Sequence, residues 1–157
     1  MKDGFIKVAA GTPDIKVADC EYNRAEITAL IDKAYAAGVR ILALPELCIT
    51  GYTCQDLFFQ QALLDGALNA LREITEHTAG SDMLISVGCP LRFRGELYNC
   101  AVVLKDGKIL GVVPKKFLPN YNEFYEKRHF TAAPEGQFDI ELFGESVPFG
   151  LGLLFEC

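Results

Sequence analysis

The stretch 39–52, Val-Arg-Ile-Leu-Ala-Leu-Pro-Glu-Leu-Cys-Ile-Thr-Gly-Tyr, constrains the fold more than any other part of the chain. Its apolar run 41–44, bounded by turn residues, predicts a buried strand of an α/β sheet. Pro45 has no backbone N–H and belongs where ladder pairing stops. Glu46 then sits at the carboxyl end of the strand, where α/β proteins place their ligands and chemistry. A carboxylate beside Leu47 and Ile49 is costly to bury unless it is paired. Glu46 is therefore a candidate general base. A Glu that caps the following turn, or pairs with a distant Arg, fits this segment equally well.

The rest of the chain supplies the layers around such a strand. Residues 5–10 read as a first strand ending at Gly11. A helix follows, with Asp19 as N-cap and Gly38 as C′. Its apolar face carries Ile27, Leu30, Ile31, Ala34 and Tyr35. A second helix is expected over 60–78, with Leu64, Ala67, Leu68, Leu71, Ile74 and Thr75 on one face and Gly80 ending it. Beyond Gly80 the period shortens to that of strands: 83–87, 97–104 and 109–113, with turns at Arg94-Gly95 and Asp106-Gly107. The order β-α-β-α-β-β-β predicts a mixed sheet with both helices on one face. Residues 119–139 read as a long, aromatic loop with a short helical turn near 121–127, and loops of this length are commonly functional.

Bulk properties narrow the function. The 157 residues suffice for one domain with a real core. A net charge of −6 disfavours nucleic acid or an anionic membrane as partner. No apolar stretch is long enough to span a bilayer, and the start lacks a signal-peptide core, so a cytoplasmic location is expected. Cysteines fall at 20, 48, 54, 89, 100 and 157 without C-x-x-C spacing, away from His77 and His129, so no metal site is expected. Most of these thiols lie in apolar segments and read as core residues of a reducing compartment. The end of the chain, from Val147, is apolar up to its last residues. This predicts that the chain is a fragment, cut inside a larger domain.

A second charged feature closes a later strand: Pro114-Lys115-Lys116-Phe117-Leu118-Pro119-Asn120-Tyr121. Most lysines are solvated surface groups, yet two opposite charges at strand ends suggest one shared pocket. Pro45-Glu46 followed by Thr50-Gly51-Tyr52, together with Lys115 three residues before Leu118-Pro119 and an aromatic loop, resemble the nitrilase, or carbon–nitrogen hydrolase, superfamily. Within it, Pro114-Lys115-x-Phe117-Leu118-Pro119-Asn120-Tyr121-x-Glu123-Phe124-Tyr125-Glu126-x-Arg128 and Val147-Pro148-Phe149-Gly150-x-x-Leu153-Leu154-Phe155 are similar to the glutaminase domains of glutamine-dependent NAD synthetases. The likeness runs over essentially the whole sequence.

The resemblance implies a nitrilase-like α-β-β-α sandwich, of which these residues would form an incomplete part. It implies a cysteine thiolate that attacks an amide, Glu46 as general base and Lys115 as stabiliser of the oxyanion. It assigns Glu126 as a supporting carboxylate, and Tyr52 and Tyr121 to the glutamine pocket, although core or rim packing accounts for both tyrosines as well. The family nucleophile stands in a Glu-x-Cys-x-Asp elbow. Cys157 follows Glu156 directly, so it departs from that pattern, and no nucleophile is expected within this chain. Cys48 and Cys54 match no catalytic position. The implied substrate is glutamine. No cofactor is implied for the glutaminase domain, ATP and Mg²⁺ being expected only in an absent synthetase domain, and the full-length protein would be a homo-oligomer. A stand-alone amidase, carbamoylase or nitrilase, and a catalytically silent assembly domain, are the alternatives.

Overall fold

A computed structural model describes residues 4–156 and shows one seven-stranded sheet in the order β1-β2-β3-β4-β5-β7-β6. The strands are β1 (Val8–Ala10), β2 (Ile41–Ala43), β3 (Leu84–Phe93), β4 (Glu96–Lys105), β5 (Lys108–Pro114), β6 (Gln137–Leu142) and β7 (Glu145–Gly150). Helices α1 (Cys20–Ala36) and α2 (Gln61–His77) pack side by side and share one apolar core with the sheet. The expected α/β class, a mixed sheet with helices on one face, is what forms. β1, β2 and β3 run parallel, β3-β4-β5 is an antiparallel meander, and β5 joins β7 in parallel.

Local chemistry explains the boundaries. The Asp19 side chain accepts from the Tyr22 N–H at 3.0 Å and opens α1. Gly38, at φ +75°, lets the chain turn back so that the Val39 N–H reaches the Ala34 carbonyl. α1 buries Cys20, Asn23, Ile27, Ile31 and Ala34, while Tyr35 is half exposed and so falls off the face on which it was expected. The turns at Arg94-Gly95 and Asp106-Gly107 have two successive positive φ values each, the mirror-image geometry that suits tight hairpins.

Four expectations are corrected. The first strand covers only Val8–Ala10, because β2 offers partners to those three residues alone. β3 continues past Val87 to Phe93, through Pro90. The last β2 pair is Ala43 with Ser86, so Pro90 lies where β3 has a neighbour on one side only and its missing N–H costs no ladder bond. The long loop ends at 136, and residues 137–150 form the β6–β7 hairpin, an element the sequence reading missed. The helical turn is α3 (Glu126–His129), later than expected, and a 3-10 helix over Gln55–Phe59 was not foreseen.

Candidate active site

Glu46 is held at the end of β2 by its neighbours rather than by its own charge. Leu47 and Ile49 are fully buried, and each contributes roughly 1.5–3 kcal/mol of apolar burial to pinning the turn. The Thr50 and Gly51 N–H groups both donate to the Leu47 carbonyl, closing a tight turn with Leu47 at φ +51° and Gly51 at φ +83°. Buried Asn23 of α1 donates to the Ile49 and Lys16 carbonyls and accepts from the Lys16 N–H, tying this turn to the first helix. β3 passes beneath at Gly88. A Cβ there would stand 2.2 Å from the Leu47 nitrogen and 2.5 Å from the Pro45 oxygen, so only glycine admits the turn at this height.

Lys115 follows the last residue of β5. Its N–H donates to the Asn99 carbonyl of β4 at 2.8 Å, and its Nζ lies 2.8 and 3.0 Å from the two oxygens of Glu46. The same Nζ donates to Oε1 of Glu126 at 2.8 Å. One ammonium thus bridges two carboxylates. Burial alone would lower the Lys115 pKa; hydrogen bonds to Glu126 and Glu46 outweigh it, and the net shift is upward. Lys115 stays charged across the physiological range.

Glu126 comes from α3 and is 4% exposed, whereas the Glu46 side chain is 40% exposed. Oε1 of Glu126 also accepts from the Tyr52 hydroxyl at 2.7 Å. Among the described residues, Oε2 of Glu126 is the one buried side-chain oxygen or nitrogen without a hydrogen-bond partner. Such an acceptor is costly unless something donates to it. Burial first, and then the hydrogen bond to Glu126, push the Tyr52 phenol well above its ordinary pKa, so it stays a donor.

Of the residues singled out in the sequence, Glu46, Lys115, Glu126 and Tyr52 converge. Tyr121 does not join them: it is 64% exposed and packs edge-on against Phe124, which in turn meets Tyr52. Cys157 lies outside the described residues. Cys48 and Cys54 are buried, and burial pushes the Cys48 thiol up to about 11, so it is a poor source of thiolate. Asn99 was missed. It is 3% exposed and donates from Nδ2 to Oε1 of Glu46 at 2.5 Å. The signal was there: an asparagine inside the apolar strand 97–104 needs a buried partner. Glu46, Lys115 and Asn99 line a cleft of about 360 Å³ with Leu44, Pro45 and Ala101. A second cleft, of about 410 Å³, is lined by Glu126 with Tyr52, Phe58, Phe124 and His129.

The pattern that defines the family described as carbon-nitrogen hydrolase matches residues 7–152. The chain belongs to the carbon–nitrogen hydrolase family. Among its curated relatives, the glutamine-dependent NAD(+) synthetase of Mycobacterium tuberculosis is 38% identical over 152 residues, 97% of this chain and 22% of the relative. That of Aquifex aeolicus is 37% identical over 135 residues, covering 86% of this chain and 23% of the relative. The crystal structure of a glutamine-dependent NAD(+) synthetase from Cytophaga hutchinsonii superposes with a TM-score of 0.90 at 35% identity, over 97% of this chain and 26% of that one. The chain therefore spans less than a quarter of the length of these curated relatives. Among its described residues no group of three or more His, Cys, Asp or Glu is placed to hold a metal ion. Nor is any described helix long and apolar enough to cross a membrane.

Proposed function

We propose that this chain is the N-terminal part of the glutaminase domain of a glutamine-dependent NAD synthetase, which releases ammonia from glutamine for amidation of nicotinic acid adenine dinucleotide. The observation that carries the reading is the Lys115 ammonium, which reaches Glu46 and Glu126 within 3.0 Å. The nucleophile is a cysteine thiol contributed by residues beyond this chain, and the cleft beside Glu46 and Lys115 receives the amide.

Glu46 takes the thiol proton as sulfur attacks the amide carbon, and Lys115 and neighbouring donors balance the charge that collects on oxygen. Glu46 returns the proton to the amide nitrogen, the C–N bond breaks and ammonia leaves a thioester. Water, deprotonated by Glu46, attacks the thioester; glutamate departs and the thiol regains its proton. Glu126 keeps Lys115 oriented, and Tyr52 supports Glu126. In this reading the ATP- and Mg²⁺-dependent amidation belongs to a separate domain, the location is cytoplasmic, and the full-length protein is a homo-oligomer.

Glu46→Gln and Lys115→Ala in the full-length protein test this. Each should cut glutamine-dependent NAD formation by roughly 10²- to 10⁴-fold while amidation from added ammonium persists. Glutamine-dependent turnover that survives both changes would refute the assignment. The isolated 157 residues should not hydrolyse glutamine; hydrolysis abolished by Cys157→Ala would place the nucleophile here instead.

A further inference from the structure

We infer that Asp56, through its fork with Arg128, is a positioning residue that aims Glu126 at Lys115, an inference that rests on the glutaminase reading above. α3 is a single turn of four residues, too short to hold itself together. Upstream of it, the Phe124 N–H reaches the Tyr121 carbonyl and the Glu126 N–H the Pro119 carbonyl at 3.2 Å, both within the loop. Oε1 of Glu126 meets Lys115 and Tyr52 while Oε2 has no partner, and just past the turn the Thr131 N–H donates to the Leu97 carbonyl of β4 at 2.8 Å. A further anchor, which sets the angle of the turn itself, comes from the side.

Arg128 donates from Nε to Oδ1 of Asp56 at 2.7 Å and from Nη2 to Oδ2 at 2.8 Å. This two-point contact fixes distance and angle together. His129 Nε2 lies 3.3 Å from the same Oδ1, and its ring rests against Phe58 and Phe59. Asp56 in turn belongs to the 3-10 helix over Gln55–Phe59. That helix is tied to the catalytic turn, because the Cys54 thiol donates to the Thr50 and Gly51 carbonyls. The chain from Glu46 to Phe59 therefore forms one block, and the fork fastens α3 to it.

Position, rather than stability, is what this pair supplies. The Asp56 and Arg128 side chains are 63% and 57% exposed, and ion pairs so open to water add little to folding. Catalysis, by contrast, is sensitive to misplacement of a group by an ångström.

The test compares wild type, Asp56→Asn, Arg128→Lys, Glu126→Gln and Asp56→Asn/Glu126→Gln in the full-length protein, by ammonia release from glutamine and by thermal melting. Asp56→Asn and Arg128→Lys should each lower kcat about tenfold or more with little change in melting temperature. Asp56→Asn should cost almost nothing further once Glu126 is already Gln, because residues that act as one unit are non-additive. Where Glu126→Gln leaves too little turnover to measure, hydrogen exchange decides: faster exchange at the Phe130 N–H in Asp56→Asn supports the inference, and unchanged exchange overturns it. An unaffected kcat in Asp56→Asn, or an equal loss in the Glu126→Gln background, also overturns it. A wild type that releases no ammonia would sink the glutaminase reading itself, and this inference with it.

Discussion

Lys115 is the residue through which the two carboxylates communicate, and its neighbours should be unequal in effect. Asn99→Ala removes the one side-chain donor to Glu46 besides Lys115 among the described residues, and hydrogen bonds to charged groups are worth about 1.5–3 kcal/mol. A loss of that order should appear in denaturant unfolding. Asn99→Asp should be worse, since it sets a carboxylate against Glu46. Asp56 gives a prediction in pH. Hydrogen bonds from Arg128 and His129 lower its carboxyl from 3.8 to about 2. A carboxyl depressed by folding contributes its stability above the ordinary value and loses it as pH falls through the folded one. The melting difference between wild type and Asp56→Asn should therefore be small and flat above pH 3.8 and gone by about 2. Glu46 and Lys115 were legible as candidates because each ends an apolar strand. Asn99 gave a signal, a polar residue in an apolar strand, but not its partner, and Asp56 gave none, because a surface Asp in a short helix looks like any solvated carboxylate.

At the scale of elements, the crossing of β3 under the Pro45–Gly51 turn is the most exacting contact. Gly88→Ala would drive a methyl into the Pro45–Leu47 backbone, and overpacking of this kind costs roughly 1–3 kcal/mol. Because the displaced atoms carry Glu46, the glutamine-dependent activity proposed for the full-length protein should fall further than the loss of stability explains; a variant with wild-type kcat would show that the turn can yield. Elements with strong local signals were readable: α1 from its Asp19 cap and Gly38 exit, and both hairpin turns from Arg94-Gly95 and Asp106-Gly107. β6–β7 was missed for a physical reason. Its outward residues, among them Gln137, Asp139, Glu141 and Glu145, are polar and exposed, and its turn is Phe143-Gly144 rather than Asn-Gly or Asp-Gly. The 3-10 helix has no periodic signature at five residues, and its place is set by the aromatic contacts of Phe58 with His129 and Phe130.

Over the whole molecule, several large apolar side chains are left uncovered. Phe5, Val8, Val17, Phe117 and Leu154 are more than half exposed despite being apolar, and β1 is a three-residue edge strand. Exposed apolar surface of this extent favours association. The isolated 157 residues should self-associate at micromolar concentration in sedimentation experiments, and a monodisperse monomer there would contradict this. The overall architecture was legible because the alternation of helical and strand periods spans the first 113 residues. How the surface is shared between buried and exposed was not, because it depends on which residues the sheet leaves without neighbours.

Asn99 has one further consequence. Its carbonyl receives the Lys115 N–H while its amide holds Glu46. Acid and ammonium are thus mounted on the same post, a single residue near the middle of β4. Sliding or breathing of the surrounding strands would carry both charges along together, so their spacing is protected from motions that would shift either one alone.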